Sequence, residues 1–179
     1  MEQTAAKRGN PMRQIRLGKV TLNMGAGEPG PKLDKSKKII ETISGKKVVI
    51  TKTRKRNTFG GAKGRQIGVM VTLRGKDAEE ILRRMLKAVD GRLRPSQFDS
   101  SGNFSFGIAE YIDIPGIKYD PDVGILGLDV AVTLERPGFR IKRRVIRPKS
   151  VGKRHRITRE EAIEWASQAF GVTVAEEEK

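Results

Sequence analysis

One histidine, no cysteine and a scatter of carboxylates are the groups from which any chemistry in this 179-residue chain must be built. His155 stands among Lys153, Arg154 and Arg156, a setting that suits phosphate-contacting surface rather than a general base. A nucleophilic triad needs a base oriented by a third group, and a histidine metal site needs several ligands; a lone histidine supplies neither. Glu110, Asp113, Asp120, Asp122 and Asp129 are numerous enough to gather a divalent cation for phosphoryl chemistry. Their spacing is not specific for a metal, and Pro121 makes Asp120-Pro121-Asp122 a turn. The plainer reading is that these acids offset surplus positive charge or face a basic protein. Gly25-Ala26-Gly27-Glu28-Pro29-Gly30 formally satisfies G-x-G-x-x-G between a strand and a helix. A Rossmann first strand is apolar on both faces, whereas Lys19, Thr21 and Asn23 interrupt this one. Glu28 and two prolines stand where pyrophosphate would bind, and no acid ends a second strand ~20 residues on. A tight strand-to-helix turn is the better account. The expectation is no catalytic residue, no cofactor and no metal.

What remains is polyanion binding. The chain carries 37 lysines and arginines against 21 acids, a net charge of +16, which points to nucleic acid or an anionic surface and says nothing about fold. No residue from Thr42 to Lys76 is acidic, while ten lysines and arginines fall between Lys46 and Lys76. Two strand-like runs, Val48–Thr53 and Ile67–Arg74, flank a glycine-rich loop, Arg54–Arg65. A connection that long is usually functional or disordered; Lys52, Arg54, Lys55, Arg56, Lys63 and Arg65 make it a finger for phosphates. A second basic run, Arg136 to Arg159, holds eleven lysines and arginines and no acid. Its phosphate-contacting candidates are Arg140, Lys142, Arg143, Arg144, Arg147, Lys149, Lys153, Arg154, His155 and Arg156. Within it, Phe139–Arg147 predicts an extended arm or edge strand and Ser150–Arg156 a loop.

These groups need a scaffold. At 36% hydrophobic residues the chain can build one core. No apolar run approaches the ~18–20 residues of a membrane span, and Met1–Pro11 lacks the apolar centre of a signal peptide. Met12–Met24 predicts a strand whose phase breaks near Gly18–Lys19, the mark of a bulge. Leu33, Ile39, Ile40 and Ile43 predict a helix over Leu33–Ser44, closed by Gly45. Asp77–Asp90 predicts the clearest helix, with Asp77 and Glu80 as a capping-box-like pair and Gly91 as its stop. Phe104, Phe106, Ile108, Ile112 and Ile114 predict one alternating strand; Leu128, Val130, Val132 and Leu134 predict another. Thr158–Glu161 opens a last capped helix that ends at Gly171, and an acidic tail, Ala175–Lys179, follows. Three strands share a bulky apolar face and a small, mildly polar reverse: Thr21/Asn23, Gly68/Met70/Thr72 and Asp129/Ala131/Thr133. Helices on the apolar side would leave that reverse open to a ligand whose phosphates, riboses or base edges Thr and Asn can bond.

Several ordered strings carry a resemblance. Val20-Thr21-Leu22-Asn23-Met24-Gly25, Ile67-Gly68-Val69-Met70-Val71-Thr72-Leu73-Arg74-Gly75, and Phe98-Asp99 with Gly102-Asn103-Phe104-Ser105-Phe106-Gly107-Ile108 are similar to the large-subunit ribosomal protein number five family. Ile114-Pro115 and Gly127-Leu128-Asp129-Val130 extend it over roughly residues 11–135. Glu135–Gly138 and Val151–Thr158 resemble the archaeal and eukaryotic branch. The resemblance implies an α+β fold, an antiparallel sheet with helices on one face, in a single RNA-binding domain: a core over about 11–135 and a basic extension with a C-terminal helix over 136–179. It implies a structural constituent of the large ribosomal subunit, working in the cytoplasm, that binds 5S rRNA and links it to 23S rRNA in the central protuberance. Its further partners are the peptidyl-site tRNA, which the Arg54–Arg65 loop approaches, neighbouring large-subunit proteins, and a small-subunit head protein that it meets in an intersubunit bridge. The family's 5S-facing sheet surface corresponds here to Thr21, Asn23, Thr51 and Thr72, with Lys46 where a glutamine is common. Gln66 replaces a frequent proline, and Thr58–Ala62 is unusually glycine-rich. The alternatives from other classes are an RNA chaperone or regulator, and a metal-dependent RNA-processing enzyme using Asp120 or Asp122.

Overall fold

The computed structural model of the chain describes residues 10–56, 62–117, 119 and 124–174. Strand β1 (Arg16–Gly25) follows a short 3-10 turn, Pro11–Arg13. Its alternation is strict where the sequence alternates: Val20, Leu22 and Met24 are buried, while Thr21 and Asn23 are half-exposed. The phase break is a bulge. Leu17 faces Leu134 and Lys19 faces Thr133 on the neighbouring strand, so Gly18 is the extra residue. A chain turn without regular structure then leads to helix α1 (Pro31–Ser44), which starts on a proline and stops at Gly45, φ 62°, whose N–H reaches the Glu41 carbonyl.

Strands β2 (Val49–Lys52) and β3 (Gln66–Leu73) form the basic hairpin, and helix α2 (Lys76–Lys87) follows. After a two-residue strand β4 (Arg92–Leu93) come β5 (Phe104–Ile108), β6 (Leu128–Glu135), helix α3 (Arg159–Phe170) and β7 (Thr173–Val174). The main sheet runs β2-β3-β1-β6-β5 and is antiparallel throughout; β4 and β7 make a separate parallel pair. An antiparallel β1 excludes the parallel dinucleotide-binding architecture that the glycine spacing formally allowed. Helices α1 and α2 lie on one side of the sheet, where Leu33, Ile40, Ile43, Ala78, Leu82 and Met85 meet Val20, Leu22, Val69, Val71, Val130 and Val132 in one buried cluster. Each such aliphatic side chain removed from water contributes roughly 1.5–3 kcal/mol, which fixes which face of the sheet turns inward. α3 joins the core through Ala162 and Ala166 and lies near α2, with the Arg83 guanidinium 6.0 Å from the centre of the Phe170 ring.

Four expectations need correction. Asp77 and Glu80 form no capping box: α2 begins one residue earlier, on Gly75 at φ 66°, and has no side-chain cap. The helix also ends at Lys87, and Gly91 closes the following turn by donating to the Leu86 carbonyl. The strand expected over Phe104–Ile114 stops at Ile108; Tyr111–Asp113 is a 3-10 turn that still sends Tyr111 and Ile114 into the core. Phe139–Arg147 is neither extended nor an edge strand but a 3-10 turn, Phe139–Lys142, followed by folded-back chain, and Lys153–His155 adds another such turn inside the expected loop. The loop tip (57–61), the whole Asp120–Pro121–Asp122 turn and the acidic tail lie outside the described residues.

Candidate nucleic-acid interface

Strand register builds the uncovered face row by row. Val49, Met70, Asn23, Asp129 and Gly107 stand side by side across all five strands; Thr72, Thr21, Ala131 and Ser105 form the next row; Lys19 and Thr133 the one after. None of these side chains is covered by α1 or α2, and Val49 stays 58% exposed. Thr51 lies opposite Gly68 beyond the first row. Gly68 is buried by its own neighbours: a Cβ there would meet the Thr51 hydroxyl at 2.9 Å and the Met24 carbonyl at 3.0 Å. The face is shallow because its residues are small. Asn23 donates weakly to the Asp129 carboxylate at 3.4 Å, which leaves its carbonyl oxygen for a ligand.

Lys46 does not belong to this face. Val48 is buried and Val49 exposed, and Lys46 lies before β2, in the bend that follows α1. Its ammonium pairs with Asp77 at the start of α2, on the helix side. That bond uses the carboxylate that the capping-box expectation had reserved for the helix backbone.

The finger is pinned at its base by Thr53. The Thr53 hydroxyl donates to the Ala62 carbonyl at 2.8 Å and accepts from the Arg65 N–H at 3.1 Å, while the backbones of Thr53, Gly64 and Arg65 exchange two more bonds. Lys52, Arg54, Lys55, Arg56, Lys63 and Arg65 are all exposed, and none joins an ion pair among the described residues. Their charge is available to a ligand.

The second basic run is partly engaged inside the protein. Arg143 pairs with Glu135 at 2.5 Å, and Arg144 Nε and Arg156 Nε donate to the Arg147 and Val151 carbonyls. The His155 ring nitrogen Nε2 lies 2.9 Å from the Pro137 carbonyl, and the ring packs edge-on against Phe139. Arg140, Lys142, Arg147, Lys149, Lys153 and Arg154 remain exposed around the turns. Arg136, 6% exposed, anchors the whole segment: it donates to the Arg156 carbonyl at 3.0 Å and to Glu161 at 2.8 Å. Burial pushes the Glu161 carboxyl up, but the Thr158 backbone N–H together with the hydrogen bond and charge of Arg136 outweigh it and hold the group below its ordinary range.

Two stretches of the chain match models of one ribosomal family. Residues 10–58 match the family described as ribosomal protein L5, and residues 66–165 match the C-terminal region of the same ribosomal family. Large ribosomal subunit protein uL5 of Sulfurisphaera tokodaii is 51% identical over 93% of this chain and 96% of its own length. The protein of the same name from Sulfolobus acidocaldarius is 48% identical over 98% and 99%, and that from Nitrosopumilus maritimus 47% over 93% and 96%. The chain belongs to the ribosomal protein L5 family.

An L5-family chain is a protein of the large ribosomal subunit: a structural component of the cytoplasmic ribosome that associates with rRNA and ribosomal proteins, not an enzyme. Three residues of this L5-family surface are absent from the RNA-binding set that the sequence suggested. Lys19 and Ser105 share the open face, and Glu135 shapes its end; the parity of β1 already set Lys19 beside Thr21 and Asn23. Arg136 was counted as one more cation of the basic run, and no local pattern distinguishes a buried arginine from an exposed one.

Proposed function

We propose that the uncovered sheet face docks folded 5S rRNA, with Thr21, Asn23, Thr51 and Thr72 bonding its backbone and base edges. The exposed cations of the finger and of the 136–159 segment neutralise phosphates at either end of that face, and core and extension act as one RNA-binding unit. The same protein joins 5S to 23S rRNA in the central protuberance, approaches the peptidyl-site tRNA through the Arg54–Arg65 loop, and contacts a small-subunit head protein in an intersubunit bridge. The observation that carries this reading is a face of small, mostly uncharged side chains left bare by the helices, beside a finger whose cations have no internal ion-pair partner among the described residues. Phosphate contacts position an RNA, whereas contacts from Thr and Asn on the face recognise its surface.

Filter binding of 5S rRNA as a function of salt tests it. Neutralising roughly 6–10 phosphates makes affinity fall about 10³–10⁵-fold between 50 and 200 mM salt. Asn23→Ala and Thr72→Ala should weaken binding without changing that slope. Unchanged affinity in both variants rejects the sheet-face assignment.

A further inference from the structure

At the end of the open face where β6 finishes, the sheet meets the folded basic segment and leaves a cleft of about 620 Å³. That volume is in the range of pockets that enclose small molecules, ~300–1,000 Å³. Its floor continues the sheet through Lys19 and Thr133, which are register partners, and through Asn103 beside the first residue of β5. Its far wall is built by the extension, with Phe139, Lys142, Arg143, Val151, Arg156 and Ile157. We infer that this cleft receives one unpaired RNA nucleotide, turned out of its helix, from the RNA that rests on the open face.

The lining divides as a nucleotide divides. Phe139 and Val151, both half-buried, give an apolar wall backed by the buried Ile157, and Phe139 is the one aromatic ring among the lining residues, suited to stacking a base. Asn103, Ser101, Thr133 and Ser150 offer uncharged donors and acceptors for a base edge or a 2′-hydroxyl; the Asn103 amide has no hydrogen bond of its own among the described residues. Lys19, Lys142 and Arg156 stand at positions for the phosphate. A duplex lies flat on a shallow face and cannot enter a cleft of this depth, whereas a single extruded nucleotide can. Glu135 also lines the cleft, where its carboxylate is outnumbered by Lys19, Lys142, Arg143 and Arg156. That carboxylate is held in place. It pairs with Arg143 at 2.5 Å, and the Glu135 side chain lies over Gly18, where any Cβ would come within 2.6 Å of it. The bulge therefore serves to make room for the side chain that fixes the cleft's wall.

This inference rests on the RNA-docking reading, and the test separates the two. The full chain is bound to 5S rRNA, and separately to 23S rRNA, and every nucleotide is probed for base and 2′-hydroxyl reactivity. The wild type should protect an extended footprint that contains one nucleotide with a shielded base and a hyper-reactive ribose. Asn103→Ala, and Ser101→Trp as an exposed substitution that fills the cleft, should restore base reactivity at that nucleotide alone and weaken binding about five- to tenfold. Thermal midpoints of both variants equal to wild type show that the fold is intact. Footprints of both variants identical to wild type at every nucleotide overturn the pocket while leaving the docking reading in place. No wild-type footprint on either RNA overturns both.

Discussion

Arg136 and Glu161 make a pair whose two ends sit in different surroundings, and that difference predicts unequal costs. The guanidinium is 6% exposed, while the carboxylate is 42% exposed. Arg136 Nε has no partner even in the intact protein among the described residues, so the cation is already thinly satisfied. Glu161→Ala strips away its counter-charge and leaves the buried cation only the Arg156 carbonyl, which costs about 2–3 kcal/mol, less than a fully buried pair because the carboxylate is half in water. The substitution also removes the carboxylate that accepts from the Thr158 N–H at 3.0 Å, half of the α3 capping box. Arg136→Met, by contrast, keeps much of the buried aliphatic volume and leaves a carboxylate that water can reach; about 1 kcal/mol or less is expected. The double variant removes the orphaned charge altogether. It should therefore be more stable than Glu161→Ala alone, by roughly 2 kcal/mol. Urea unfolding followed by the fluorescence of Trp165, the chain's single tryptophan and a residue of α3, gives all three values. A Glu161→Ala cost no larger than that of Arg136→Met, or a double variant weaker than both singles, refutes the reasoning.

Because Glu161 is held below its ordinary range when folded, its contribution is fully present above the unfolded carboxylate pKa of about 4.3 and disappears as pH falls through the lower folded value. The thermal-midpoint gap between wild type and Glu161→Gln should accordingly shrink on acidification below about pH 4.3 and stay constant from about pH 6 to 8. Gly18→Ala sets a Cβ 2.6 Å from the Glu135 side chain and should cost about 1–3 kcal/mol; adding Glu135→Ala should recover most of it in a denaturant titration. Lys46→Ala breaks a half-exposed pair with Asp77, so stability should drop by less than about 1 kcal/mol and 5S rRNA affinity should hold; a loss of affinity would return Lys46 to the RNA surface. Neutralising Lys55 and Arg56 together should spare 5S binding and weaken contact with peptidyl-site tRNA, read by crosslinking in assembled ribosomes; loss of the 5S complex would reverse that assignment.

The sheet was readable because its signal is local. Val20/Leu22/Met24 and Leu128/Val130/Val132/Leu134 alternate with a period of two, and burial of one face leaves no other register. Helix stops at Gly45 and Gly171 were legible for a similar reason, since both glycines take the left-handed conformation there. Ile112 and Ile114 misled because Ile114 returns to the core from a 3-10 turn, and spacing alone does not tell a strand from a turn whose residues point back inward. Asp77-x-x-Glu80 had the composition of a cap, but Gly75 started the helix earlier and freed Asp77 for Lys46. The basic segment misled most. Its charge implied extension toward a ligand, whereas Arg136 is buried and Arg144 and Arg156, still exposed, bond carbonyls of the same segment, contacts 3 to 20 residues long that leave no periodic trace. For the same reason the cleft that this folding creates had no signature in the chain.

The docking claim is tested most directly from the protein's own side. The chain has no cysteine, so a single one introduced at exposed Ser105 on the open face, or at exposed Lys37 on α1, carries a tethered iron chelate without background labelling. Hydroxyl radicals released from Ser105→Cys should cut 5S rRNA over a short, contiguous stretch, and those from Lys37→Cys should leave that stretch whole. Cleavage of 5S rRNA from Lys37→Cys alone would place the RNA on the helices and contradict the account.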